Sequence, residues 1–349
     1  MNKGKKILPF LLLIALCGFA GCSGSVTAAK QEQESEPTQW VTYQGKEGPG
    51  KGKNIVFVSG DEEYRSEEAL PALAQILAER FGFTCTVLFS IDSLTGEIDA
   101  NNTSNIPGLE QLESADLMVI FTRFRELPPE QMRYIDDYLK AGKPVIGMRT
   151  ATHAFHYTKH PDDPYAKYDF QSKVPGWEQG FGKIVLGETW VNHHGDHGKE
   201  GTRGVNNGEA LAKSILNGVT DIWVPTDVYT VGALEGADVL VYGQCTSGMT
   251  ADAPINNEKE PLPVAWTRTY AVEGGKEGKA FATTMGASVD LVNEDLRRLL
   301  INACFWAMDQ PVPEKADVTL VSPYQPTMFG FDSFKKGKFP ADYQLKEAN

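Results

Sequence analysis

The sequence predicts an α/β domain built on a parallel sheet covered on both faces. Short apolar runs with β-branched cores recur along residues 54–148, and segments of helical spacing alternate with them. Polar motifs cluster just after the carboxyl ends of those runs. Strands separated by helices of this length need crossover connections, which make neighbouring strands parallel.

Taken in order, residues 54–59 (NIVFVS) read as a buried strand. Ser66 is placed to cap a helix over 67–80, with Glu67 and Glu68 in its first turn, where the helix dipole favours acid. Leu70, Leu73, Ala74, Leu77 and Phe81 follow helical spacing. Strands are expected at 84–89 and 117–121, then a Pro-initiated helix over 129–141 ended by Gly142, then a strand at 144–148. In the less regular second half, strands are expected at 183–186, 239–242, 264–267 and 280–284. Residues 293–308 (NEDLRRLLINACFWAM) form an amphipathic helix pattern, and the aromatic-rich stretch 311–349 reads as a wrapping tail.

The first 21 residues read as a targeting segment. Lys3, Lys5 and Lys6 precede a short apolar core, and Phe19-Ala20-Gly21-Cys22 resembles a lipoprotein processing site with Cys22 as the lipidated residue. The apolar run is too short to span a bilayer, so the expectation is a membrane contact through the lipid anchor only, at the cell envelope on a periplasmic or outer-membrane face. Residues 22–53, polar and rich in glycine, read as a flexible tether, leaving 54–310 as the domain. Removing the leader moves the formal charge from −13 to −16, which argues against nucleic acid as a partner. Beyond Cys22, only Cys85, Cys245 and Cys304 remain, too few and too scattered for a disulfide framework or a CxxC metal site. Oligomeric state is not encoded in any of these features.

All six histidines lie between His153 and His197, in the bursts THAFHYTKH and NHHGDH. Neutral imidazole titrates near physiological pH and is the commonest metal ligand, so this segregation points to one site. His193, His194 and His197, beside Asp196, have spacings that let two imidazoles face one centre. Such a set suits one divalent zinc, manganese or iron ion. His153 follows the fourth strand. GDEEYRSEE follows the first strand and TRFRE the third; ETWVNHHGDH follows the expected strand at 183–186, and TTMGASVD ends the last. Ligands in open parallel sheets bind beyond the carboxyl ends of strands, so these motifs are expected to converge there.

These stretches carry a family resemblance. GDEEYRSEE, RFREL, RTATHAF, ETWVNHHGDHG, TDVY and TTMGAS, spread over residues 54–308, resemble the ThuA-like (trehalose utilisation) proteins. The resemblance implies a flavodoxin-like, three-layer α/β/α fold of the class I glutamine amidotransferase-like superfamily, with a mostly parallel sheet and irregular insertions. It also implies a role with disaccharides or oxidised sugars. One departure matters: amidotransferases place a nucleophilic cysteine at a strand-to-helix elbow, and many ThuA-like proteins carry histidine there. Here Gly147-Met148-Arg149-Thr150 puts arginine at that place, so glutaminase chemistry is not expected.

His153, Arg149, Glu63 and Arg65 are therefore the candidate catalytic residues: Glu63 as acid or base, Arg65 for a hydroxyl or a developing oxyanion. Tyr64, Arg123, Arg125, Arg203, Asp227 and Trp190 are candidate substrate-binding residues for a small sugar. Two classes of function follow. One is a lipid-anchored hydrolase, lyase or isomerase, metal- or histidine-assisted, acting on glycosides or their keto derivatives. The other is a non-catalytic sugar-binding lipoprotein using the same pocket.

Overall fold

The computed structural model describes Met1 and residues 38–345; the leader and Cys22 lie outside the described residues. Among the described residues, ten strands form one sheet. They are β1 (Trp40–Tyr43), β2 (Asn54–Gly60), β3 (Thr84–Leu88), β4 (Leu117–Thr122), β5 (Val145–Met148), β6 (Gly201–Asn206), β7 (Trp223–Val224), β8 (Asp238–Thr246), β9 (Leu262–Ala271) and β10 (Glu277–Thr283). The helices are α1 (Ser66–Phe81), α2 (Pro129–Lys140) and α3 (Glu294–Ala307). Spatial order is β1-β3-β2-β4-β5-β10-β9-β8-β6-β7.

The sheet is mixed, which corrects the mostly parallel expectation. β3, β2, β4, β5 and β10 are parallel neighbours. From β10 outward every pairing is antiparallel, as is β1 with β3. The reason is local: β9 runs into β10 through a short turn containing Gly274 and Gly275, and so short a connection makes only an antiparallel pair.

Both faces of the sheet are covered. Along β2, Ile55 and Phe57 join one apolar cluster with α1 and α3, whereas Val56 and Val58 join a second with α2. Successive strand side chains point to opposite faces, so a run apolar at every position marks a strand buried on both. Leu73 and Leu77 of α1 and Leu300 of α3 fill the first cluster; Met132, Ile135 and Leu139 of α2 fill the second.

Three local expectations change. The stretch expected as a strand at 183–186 is a π-helical turn, Gly182–Leu186. A Cβ on Gly182 would lie 2.1 Å from the Thr152 carbonyl oxygen, so the bare glycine lets the turn press against the segment after β5. Val185 and Leu186 are buried there; a short apolar run cannot by itself tell strand from helical turn. Ser66 is not the cap of α1. Arg65 holds that position with φ 64°, and the Ser66 hydroxyl instead bonds Ser59 Oγ at 2.8 Å and accepts from the Asp61 amide at 3.1 Å. Finally, the end of the expected tether belongs to the fold: β1 pairs with β3, Val41 and Tyr43 are buried, and Gly50 lies flat on the Phe83 ring. The C-terminal stretch crosses back over the domain, where the Tyr343 ring meets Phe89 at 5.4 Å and its carbonyl accepts from Tyr43 Oη at 2.8 Å.

Candidate active site

The strand-to-helix elbow after β5 is occupied by Arg149, with φ 44°, opening a short 3-10 helix, Arg149–His153. A bulky residue at positive φ costs about 1–2 kcal/mol, and such strain persists only where surroundings enforce it. They do so here. The buried guanidinium lies 4.5 Å from the Tyr64 ring centroid and 3.8 Å from that of Tyr229. It donates to the carbonyls of Asp227 (2.8 Å) and Thr284 (2.6 Å), to Tyr64 Oη (3.2 Å) and to Asp227 Oδ1 (2.9 Å). The elbow presents a fixed cation rather than a nucleophile.

Asp227 is the hub. Its side chain is wholly buried, and it pairs with Arg149 on one side and two histidines on the other. His193 Nδ1 lies 2.6 Å from Oδ2 and His197 Nδ1 3.2 Å from Oδ1. Burial acts to raise the Asp227 pKa, but the Arg149 charge and the two imidazole hydrogen bonds outweigh it and hold the carboxyl well below the usual carboxylate range. An ionised carboxylate only accepts, so both Nδ1 atoms carry protons, and Nε2 of each ring is the nitrogen that Asp227 does not hold. The two imidazole centroids are 4.7 Å apart.

The acidic loop after β2 completes the site. His197 Nε2 lies 3.4 Å from Glu63 Oε1, and Glu63 Oε2 lies 3.4 Å from Arg123 Nε. Burial raises the Glu63 pKa against the opposing pull of Arg123. Asp61 accepts from the Glu63 amide at 2.7 Å and from the Thr150 hydroxyl, tying this loop to the elbow. Glu62 pairs with both Arg123 and Arg125.

The two histidine bursts meet in part. Buried His153 stacks beside Trp190 at 5.3 Å, and Trp190 reaches His193 at 5.9 Å; Tyr229 lies between the same two histidines, 6.1 Å and 5.4 Å away. Burial, then the charges of Arg123 and Arg149, push the His153 pKa well below its ordinary value, so it is neutral at physiological pH. His156 and His160 turn away to Asp169 and Glu126.

Four expected site residues serve elsewhere. His194 leaves the cluster at the bend after the isolated His193–Tyr229 bridge, its Nε2 bonded to the Glu260 carbonyl at 2.9 Å. Arg203 on β6 pairs with Asp221 and the Ala251 carbonyl, far along the antiparallel extension. Arg125 is fully buried and spends its donors on Glu62 and the carbonyls of Ala100, Asn102 and Arg123. Arg65 reaches the Gly330 carbonyl and Ser333 Oγ of the C-terminal stretch rather than the site. Conversely, Glu62, Asp61 and Tyr229 were not singled out from the sequence. The first two stand in the acidic motif and Tyr229 in TDVY, but only the tertiary contacts distinguish their roles.

His193, His197 and Asp227 offer donor atoms within 4.8 Å of one another. Both oxygens of Asp227 are already engaged, with Arg149 balancing its charge. The nitrogens that Asp227 does not hold are the two Nε2 atoms; these would take a cation with Asp227 orienting the imidazoles from behind, as carboxylates do behind metal-bound histidines. The three described cysteines are buried and none lies at the elbow; burial pushes the Cys245 thiol up to about 11.

Solved structures with a similar chain trace include a ThuA-like protein from Parabacteroides merdae, 14% identical, covering 85% of this chain and 100% of that one with a TM-score of 0.48. Another is a ThuA-like protein from Bacteroides uniformis, 12% identical, covering 76% and 95% with a TM-score of 0.44. No curated protein matches the chain. The family described as ThuA, trehalose utilisation, matches residues 54–307, the span that supplies the elbow, the acidic loop, Asp227 and both histidine bursts. The chain belongs to the ThuA family, which implies a role in sugar metabolism.

Proposed function

We propose that the protein is a carbohydrate-active enzyme that moves protons on a glycoside bearing a keto group, using His193 and His197 as the acid–base pair. One observation carries this reading: a single ionised Asp227, buried against Arg149, fixes both imidazoles through Nδ1 and leaves both Nε2 atoms for other partners. This is how a carboxylate sets the tautomer and orientation of a catalytic histidine, here done twice. Sugar recognition alone does not call for that arrangement.

Elimination is the reaction these groups fit best. One imidazole Nε2 takes the proton from the carbon beside the keto group. The electron pair forms the new carbon–carbon double bond, and the glycosidic carbon–oxygen bond breaks. The leaving oxygen takes its proton from His197 Nε2, which Glu63 recharges across 3.4 Å. In this reading neutral His153 and the Arg123 cation polarise the keto oxygen. A divalent ion on the two Nε2 atoms would supply Lewis-acid polarisation of the same oxygen, in place of their proton transfer. Arg149 at the elbow supports the absence of glutaminase activity. We read β3-β2-β4-β5-β10 as the flavodoxin-like unit and the antiparallel strands as its extension.

Incubation of trehalose and its keto derivative with the protein, followed by product analysis, tests this reading. The keto sugar is expected to be consumed with an unsaturated product, unmodified trehalose to be spared, and His197→Ala and His193→Ala each to lower turnover by about 100-fold or more. A hydrolysis or isomerisation product would reassign the reaction class. Full activity in both variants would remove the histidines from the chemistry.

A further inference from the structure

The polypeptide beyond the family-matched span returns to the site and closes one side of it. Gly330 donates its amide to the Glu63 carbonyl at 2.8 Å, and Arg65 holds the Gly330 carbonyl and Ser333 Oγ. Thr327 bonds Glu68 through both its amide and its hydroxyl at 2.7 Å, and Lys335 pairs with the same carboxylate at 3.1 Å. The stretch is thereby pinned to the first turn of α1 and to the acidic loop. This is where the Arg65 guanidinium is spent.

Two aromatic side chains ride on this pinned stretch. The Phe329 ring lies 5.3 Å from His197 and 5.5 Å from Tyr64. Phe331 is 57% exposed, yet the Arg123 guanidinium carbon sits 5.1 Å from its centroid and 4.4 Å from that of Phe124. The Arg123 guanidinium covers one part of the Phe331 ring, and the rest is open on a firmly held segment beside the site. Across the site, Trp190 stands 5.9 Å from His193.

We propose that Phe329 and Phe331 form an aromatic wall that takes the apolar C–H face of a pyranose ring, and that they make the C-terminal stretch a specificity element of the site. A pyranose carries hydroxyls around its rim and an apolar face on each side. Binding sites for such ligands combine aromatic surface with a few placed polar groups. Here Arg123 and the two histidines meet the rim while the phenylalanines meet the face. Arg65 is then a positioning residue, acting through the stretch it holds. This inference rests on the sugar reading above.

The test is calorimetric titration of trehalose and its keto derivative into the wild type and the Phe331→Leu, Phe331→Trp and Phe329→Leu variants, each with its melting temperature. Leucine keeps the apolar volume and removes the π-face, whereas tryptophan restores one. Phe331→Leu and Phe329→Leu are expected to weaken binding about tenfold, with KM rising more than kcat falls. Phe331→Trp should restore affinity, and the Phe331 variants should melt as the wild type does. Wild-type affinity in both leucine variants would overturn the wall while leaving the sugar reading intact. Weakening in Phe331→Leu that tracks a lowered melting temperature, and that tryptophan does not rescue, would make the role structural and overturn it. A wild type that binds neither sugar would overturn the sugar reading and this inference with it.

Discussion

At the scale of single residues, the Arg149–Asp227 pair decides most of the site. Each side chain is 0% exposed, so neither charge is solvated except by the other and by fixed dipoles. Removing one partner of such a pair leaves an uncompensated buried charge, worth about 3–5 kcal/mol, whereas removing both does far less harm. Arg149→Met and Asp227→Asn are each expected to lose stability of that order in urea titrations. The double variant should lose clearly less than the sum of the two. Additive losses would show that the two groups do not act as a pair. The position of Arg149 after the fourth strand was legible in the sequence, but its function was not. Nothing local says that an arginine at the elbow is enclosed by Tyr64, Tyr229 and a carboxylate 78 positions away.

Among the elements, the regular ones followed their sequence signals. The runs around Val56, Val119 and Ile146 became strands, and the helical spacings became α1, α2 and α3. The irregular ones did not. Trp40–Tyr43 sits beside a glycine-rich stretch that reads as linker, and only its pairing with β3 makes it a strand. Burying Val41 and Tyr43 contributes on the order of 3–6 kcal/mol together. A chain starting at Asn54, where the family match begins, is therefore expected to melt well below one starting at Thr38, which should melt with the full-length protein. Equal melting temperatures in calorimetry would mean that β1 is dispensable.

For the molecule as a whole, the sequence pattern of the first 22 residues bears on where the protein works. We propose that the protein is held at the cell envelope by acylation of Cys22, which lies outside the described residues. No helix among those residues is long and apolar enough to cross a membrane. Cys22→Ser should move the protein from the membrane fraction to the soluble one. An unmodified N-terminal peptide in the wild type, seen by mass spectrometry, would refute the anchor. Several properties were settled by the sequence alone: the order of strands and helices from Asn54 to Met148, the crowding of six histidines into one stretch, and the arginine at the elbow. Such signals are local, carried by side-chain periodicity, turn residues and composition within a short window. The tertiary structure decided which histidines share Asp227, that His194 faces away, that Arg65 holds the C-terminal stretch, and that half the sheet is antiparallel. Glu63, His197, Asp227 and Phe329 come from separate loops, and Arg149 from the turn after β5, where no periodicity sets the direction of a side chain. Only the packing of those loops on the sheet edge brings them within reach of one another.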